Sequence, residues 1–497
     1  MSWLLSLPLI IPFATAIAAF LVRGHASGRW ISLTGSAIAL AAAIALLMVV
    51  LDDGVIAGQM GGWPAPFGIT LVADLLSAVM VLITAITAFA VAIYAFGDID
   101  RRREELGYHA LFQTLIAGVT GAFLTGDLFN LYVWFEVMLI ASFGMLILGG
   151  EKEQIDGGVK YVALNLVSTL LFLSGIGLLY GMTGTLNLAD LAQKVETIPN
   201  QGLLTAVAMM FMVGFGIKAA VFPLFFWLPA SYHTPSFAVS AVFAGLLTKV
   251  GVYAMIRMFT MIFDHDIGFT HTILLWIAGF TMVTGVLGAA SQGDFRKILS
   301  FHIISQIGYM ILGLALMTPL ALLGAVFYLV HHIIVKANLF LIAGIASRAT
   351  GSTDLYRIGG LYASSPLLAV LFLIPAFSLA GFPPLSGFWA KYVLVKASLD
   401  AEFWFMAFIA LAVGLMTIFS MTKIWAEAFW KPHPTNPDPA LDQVPHRGAL
   451  LLPVAGLAVL TMVIGLYPEP FVVFAERAAA QLLDPTAYIT AVLGAAP

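Results

Sequence analysis

GFGIKAAVFPLFFWLPAS (residues 214–231) decides the fold. It is apolar enough for a membrane interior, yet it carries Lys218 and is interrupted by Pro223 and Pro229. A proline at that depth frees backbone carbonyls that only other protein groups, or water in a cavity, can satisfy. A second stretch of the same kind, PAFSLAGFPPLSGFWAKYVL (375–394), sets Pro383 and Pro384 among glycines and is followed by Lys391. Paired interruptions in an apolar chain mark inverted repeats with a transport path between them.

The rest of the chain agrees with a membrane solvent. Of 497 residues, 61% are hydrophobic and 10% charged, well outside the range of water-soluble domains. Runs of about 20 apolar residues, the length that crosses a bilayer, fall at 3–22, 30–50, 70–96, 108–125, 128–149, 159–181, 203–228, 236–258, 271–290, 297–316, 320–347, 364–397, 404–430 and 449–468. The expectation is an all-α polytopic membrane protein of about 14 transmembrane helices, with helices 7 and 12 discontinuous. Its units are helices 1–3 (1–107), a first inverted repeat of helices 4–8 (108–258), a second of helices 9–13 (271–430), and helix 14 with a tail (449–497). Alternating patterns of the outer-membrane barrel type are missing. The longest loops are 51–69, with Asp52, Asp53 and a GGWP turn, 182–202, and a Pro-rich segment from Lys431 to Arg447 that reads as an irregular cytoplasmic connection. The tail beyond Pro470 reads as a weakly amphipathic surface helix.

Charge placement orients the bundle. Loops after odd-numbered spans hold Arg23, Arg29, Arg101, Arg102, Arg103, Lys152, Arg296, Lys297, Arg348, Arg357, Lys431 and Arg447. Opposite loops hold little more than Lys194, Arg257, Lys396 and Arg477. The positive-inside rule then puts both termini outside. The first apolar run is followed, not preceded, by its arginines, so it reads as an uncleaved first helix. With no cysteines, thiolate metal sites and disulfides are excluded. Walker A and dinucleotide fingerprints are missing, so the chain is read without a cofactor and without ATP-driven chemistry. Nucleic acid is not a plausible partner for so acidic and apolar a chain.

Ionisable side chains at mid-membrane cost about 2.5–3.5 kcal/mol on insertion scales and are rare without a role. Glu136 lies in FNLYVWFEVMLIASFG (129–144), Lys218 beside the first break, and Lys249 in AVFAGLLTKVGVYAMIR (241–257). His331, His332 and Lys336 lie in LVHHIIVKANLF (329–340), and Lys391 follows the second break. His332 and Lys336 are four apart and share a helix face, with His331 pointing about 100° away. Histidine can pass protons between lysines near neutral pH, so the proposed relay runs Lys218, Lys249, His332, Lys336, Lys391. Glu136 paired with Lys218 reads either as a switch that captures and releases a proton or as a static ion pair. Secondary candidates are His331, His302 with Gln306, and Lys423 with Glu427, the last two four apart and read as an interfacial pair or an exit site. Asp127 reads as a helix N-cap and Asp74 as interfacial.

At these residues the sequence resembles the antiporter-like subunits shared by Mrp-type cation/proton antiporters and respiratory complex I. The resemblance rests on GDLFNLYVWFEVMLIASFG (126–144), GIKAAVFPLFFWLPASYHTPS (216–236), GLLTKVGVYAMIR (245–257), DFRKILSFHIISQIGYM (294–310), HHIIVKANLF (331–340) and AGFPPLSGFWAKY (380–392). Its wording is most similar to the D-type Mrp subunits, and Lys391 favours that branch over the complex I one, which usually carries glutamate there. The resemblance implies that proton translocation falls on Glu136, Lys218, Lys249, His332, Lys336 and Lys391. It also implies a hetero-oligomer with Mrp subunits A, B, C, E, F and G that exchanges Na⁺ or K⁺ for H⁺ across a bacterial cytoplasmic membrane. A pumping subunit of a complex I-like oxidoreductase or membrane-bound hydrogenase is the competing reading.

Overall fold

The computed structural model describes residues 2–434 and 444–494, and the middle of the Pro-rich connection read at 431–447 lies outside them. Twelve helices are long and apolar enough to cross a membrane. Two shorter apolar helices, Tyr108–Leu124 and Pro366–Ala380, occupy the remaining expected positions, so each of the fourteen expected spans contains a helix among the described residues. Span eight (Phe237–Met261) is buried throughout, and spans ten (Phe295–Leu316) and eleven (Pro319–Thr350) nearly so. These three form the core, and the other spans wrap them with one face open to lipid. In that core the central spans bury Lys249, His302, His332 and Lys336, whereas span one, Ser2–Leu21, and the second half of span two, Ser27–Asp53, are largely apolar.

Aspartates set the starts of several spans, because a carboxylate can accept from the otherwise unsatisfied N–H groups of the first turn. Asp127 accepts from the Asn130 amide at 2.8 Å, as its N-cap reading expects, and Asp294 from the Lys297 amide at 3.0 Å. The basic face is knitted together by contacts between loops that follow odd-numbered spans. Arg101 donates to the Gly24 carbonyl, Arg103 pairs with Glu151, Arg348 pairs with Asp98, and Arg296 donates to the Pro235 carbonyl. Glu104 is held there by Arg29 at 2.9 Å and His109 at 3.3 Å. Burial pushes its carboxyl up, but those two partners outweigh it and leave it below the usual carboxylate value.

The two breaks share one geometry. The first half of span seven (Gln201–Ala219) ends with Ala220 in the left-handed conformation, its N–H bonded to Gly216 and Ile217, and the Val221 amide returns to the Gly216 carbonyl. The first half of span twelve (Pro366–Ala380) ends likewise at Gly381, with the Phe382 amide returning to the Phe377 carbonyl. Each break holds a cis X–Pro bond, Phe222–Pro223 and Pro383–Pro384. Pro229 is not an interruption, contrary to its reading. It sits in the first turn of the short helix Trp227–Ser231, where a missing N–H costs little.

Several other expectations need correction. The loop at 51–69 leads into a hairpin, with Ile56–Gln59 antiparallel to Thr70–Ala73. The connection at 182–202 contains the helix Leu188–Lys194, capped by Asn187. The tail is not a loose surface helix: Glu469–Leu483 buries Ala475, Ala478, Ala479 and Leu482, and Gln481 accepts from the Leu75 amide. Arg257 does not lie in a loop, and Asp74, at the start of span three (Leu75–Asp98), is buried against it. Asp74 caps that span and pairs at 2.6 Å with Arg257 near the end of span eight. Sequence patterning could not find this pair because its partners lie far apart in the chain.

Removing one member of a buried ion pair strands the other charge and costs about 3–5 kcal/mol. Asp74→Asn keeps the helix cap but strands Arg257. It should lower the thermal midpoint of the purified protein sharply, and adding Arg257→Met should recover much of the loss. Equal midpoints for wild type and Asp74→Asn would show the pair to be dispensable.

Candidate functional site

The polar groups at mid-depth form two groups. In the first, Glu136 of span five (Leu128–Ile147) and Lys218 of span seven are bridged rather than directly paired, which corrects the expected contact. The hydroxyl of Thr169, on span six (Lys152–Thr183), donates to Glu136 Oε1 at 2.7 Å and accepts from Lys218 Nζ at 3.4 Å. Lys218 also lies 5.5 Å from the centre of the Phe135 ring. Sequence reading missed Thr169, although Asn165, Ser168 and Thr169 make a visible polar interruption in an apolar span. Hydroxyls in membrane helices so often bond their own backbone that the signal carries little weight alone.

The second group fills the core. Lys249 donates to the Ala244 carbonyl inside a π-turn, Phe243–Leu247, which distorts span eight beside it. Such π-turns are concentrated at functional positions. Lys336 donates to the Leu299 carbonyl of span ten at 3.0 Å, and Lys391 to the Ala380 carbonyl across the second break at 3.1 Å. Each of these three ammonium groups is thus held by backbone oxygen, and no ion pair among the described residues involves them. His332 lies within electrostatic reach of Lys249, Lys336, His331 and His302. Both ring nitrogens of His332 and of His302 are buried without a hydrogen-bond partner among the described residues.

His331 points elsewhere, as its offset from His332 requires. Its Nδ1 lies 2.8 Å from Ser386 Oγ, which lies 2.9 Å from Ser378 Oγ on the other side of the second break. Gln306 accepts from the Tyr328 hydroxyl and flanks the same region. A cavity of about 20 Å³ lies beside Lys218, lined by Phe135, Met138, Tyr161, Asn165, Trp227 and Leu247 among others. That is room for about one water molecule, with Lys218, Asn165 and Tyr161 as its polar lining.

Lys423 and Glu427 do not pair with each other. The end of span thirteen is a second π-turn, Trp425–Trp430, which changes the register that a regular helix would give. Lys423 donates to the Gln292 and Ala290 carbonyls, and Glu427 pairs with Lys431 at 2.6 Å. Both lie at the basic face, away from the central row.

The repeat is visible in hydrogen bonds. Asp127 bridges to Asn187 and Asp294 to Asp354, equally spaced in sequence. The Leu128 amide donates to the Leu186 carbonyl as that of Phe295 does to the Thr353 carbonyl. The same offset carries Asn165 onto His332 and Thr169 onto Lys336. One scaffold therefore holds neutral polar groups in the first copy and titratable ones in the second.

Comparison with known proteins came to the same architecture. Residues 125–417, more than half of the chain, match the family described as NADH:quinone oxidoreductase/Mrp antiporter, TM. The chain is 48% identical, over 99% of its length and 100% of the relative's, to the D-type subunit of the Na(+)/H(+) antiporter of Alkalihalophilus pseudofirmus. It superposes with a TM-score of 0.91 and 35% identity on a chain of the Mrp complex from Dietzia sp. DQ12-45-1b, covering 99% of this chain and 100% of that one. A chain of respiratory complex I from Thermus thermophilus gives 0.82 and 26%, covering 96% and 99%.

Replacing Thr169 by Val removes the bridging hydroxyl while keeping its shape. A hydrogen bond to a charged group is worth about 1.5–3 kcal/mol, so ion exchange by the assembled complex should fall about tenfold or more, with Thr169→Ser near wild type. Unimpaired Thr169→Val would mean that Glu136 and Lys218 communicate without it.

Proposed function

We infer that this chain, which belongs to the NADH:quinone oxidoreductase/Mrp antiporter family, is the proton-translocating subunit of a multi-subunit monovalent cation/proton antiporter. The single observation that carries this reading is the row of buried lysines whose ammonium groups are held by backbone carbonyls and one hydroxyl instead of carboxylates. A structural ion pair would be static; an ammonium held by a carbonyl can give up its proton and leave that carbonyl to a neighbour or to water.

Protons are loaded or released at Glu136, Thr169 and Lys218, where movement of either charge away from the hydroxyl changes the cost of keeping Lys218 protonated. From there they pass through Lys249, His332 and Lys336 to Lys391, with His302 and His331 beside the route. The two inverted repeats, spans four to eight and nine to thirteen, supply the two halves of this row. Their matching breaks and matching aspartate bridges support that division.

The partners are the other Mrp-type subunits, A, B, C, E, F and G, and the ions are H⁺ and Na⁺ or K⁺, moved at the expense of the proton motive force in a bacterial cytoplasmic membrane with both termini outside. The chain acts as one component of a transporter and not as an enzyme. A row of cations repels Na⁺, whose binding needs oxygen ligands, so the sodium site lies mainly in another subunit. The redox-driven reading, a pump in a complex I-like machine, uses the same residues. The higher identity to antiporter subunits than to the complex I chain favours the first.

Everted vesicles from an antiporter-deficient host expressing the full gene cluster give the test. Na⁺-dependent ΔpH should be abolished by Glu136→Ala and by Lys218→Ala with the complex still assembled. Exchange unchanged in both would make these charges structural and remove the basis for the reading.

A further inference from the structure

A groove of about 390 Å³ runs between spans one and four on the lipid-facing side, lined by Ala16, Ile17, Phe20, Leu106, Ala110 and Thr114 among others. From Tyr108 to Thr114 the groove follows about 9 Å of helix at 1.5 Å per residue, with Leu106 and Gly107 before it at the mouth, so it reaches well into one leaflet's hydrocarbon. Its walls are apolar along that whole length, and its floor is kept low by alanines.

Charge collects at one end only. The Arg23 guanidinium lies 4.9 Å from the centre of the Phe20 ring, at the mouth of the groove. Arg102 lies one turn before Leu106, whose amide bonds the Arg102 carbonyl. The two segments are tied to each other where Arg101 donates to the Gly24 carbonyl.

The carboxylates nearby are already engaged. Asp100 pairs with Arg103, Glu104 with Arg29 and His109, and Glu105 with Arg101. Arg23 and Arg102 are exposed and make no ion pair among the described residues. Two free guanidiniums above this apolar slot match one chemistry: a phosphate-bearing headgroup with an acyl chain below it.

We propose that this groove is a binding site for an anionic glycerophospholipid, with the headgroup phosphate between Arg23 and Arg102 and one acyl chain lying along Ala16, Ala110 and Thr114. The site lies apart from the proton row and does not depend on the proposed function. A transmembrane helix of another subunit would need no cation at the mouth, which is why the charge favours lipid.

The test uses the assembled complex in nanodiscs containing photoactivatable phosphatidylglycerol or, separately, photoactivatable phosphatidylcholine, with cross-links mapped by mass spectrometry. Phosphatidylglycerol should label peptides containing Ala16 or Ala110 far more than phosphatidylcholine does. At about 1 kcal/mol for each arginine near an anionic surface, R23Q/R102Q should reduce that labelling about thirtyfold. Ala110→Phe, which fills the slot, should abolish it with the arginines intact. Equal labelling by the two lipids, labelling unchanged in R23Q/R102Q, or a bismaleimide cross-link from Ala110→Cys to another subunit would overturn the proposal.

Discussion

Burying an ammonium group in a membrane interior without a counter-ion is the constraint on which this structure depends. Water is scarce there, and an unpaired charge or an unsatisfied backbone group costs several kcal/mol. Elsewhere in the chain the problem is met by carboxylates, as between Arg257 and Asp74. Along the central row it is met by backbone carbonyls and one hydroxyl, two of those carbonyls at helix distortions. Ala380 ends the first half of span twelve and accepts from Lys391, and Ala244 lies in the π-turn and accepts from Lys249. The distortions and the lysines therefore explain each other. Without the lysines the oxygens freed at these two distortions would be a liability.

The repeat extends that argument. Equivalent aspartate bridges and equivalent left-handed ends at Ala220 and Gly381 point to one scaffold used twice. The chemistry placed on it differs. Thr169 stands where the second copy has Lys336, and Asn165 where it has His332. The acid, Glu136, belongs to the copy with the neutral span, so the proposed relay has a carboxylate at one end only. Lys218 and Lys391 also fall on opposite sides of their breaks, one before and one after. That asymmetry within a symmetric frame gives the row two different ends, which a directional pathway needs.

The fold was legible because membrane helices announce themselves by length and by the charges at their edges, and a helix stands at each of the fourteen expected positions, though several edges shifted, as where the long helix of span seven ends at Ala219 and span three starts only after the strand Thr70–Ala73. The central lysines and histidines were legible for the same reason, since an ionisable residue stands out against Leu, Ile and Phe. What escaped were features that depend on contact rather than cost. Thr169 looks ordinary in an apolar helix, and Asp74 and Arg257 meet only after folding. Lys423 and Glu427 seemed paired because four-residue spacing assumes a regular helix, and the π-turn at Trp425–Trp430 breaks that assumption. The hairpin at Ile56–Gln59 and Thr70–Ala73 is too short for alternation to register.

Lys249 is the junction of the account: it lies on the core span that borders the cavity next to Lys218 and is within reach of His332 and Lys336. The most direct measurement is proton flux into proteoliposomes containing the purified complex after an imposed Na⁺ gradient, comparing wild type with Lys249→Met. Methionine fills the same space without a charge and removes a buried cation, so folding should not suffer. The account predicts an assembled complex with proton flux reduced to background. Undiminished flux through the Lys249→Met complex would contradict it.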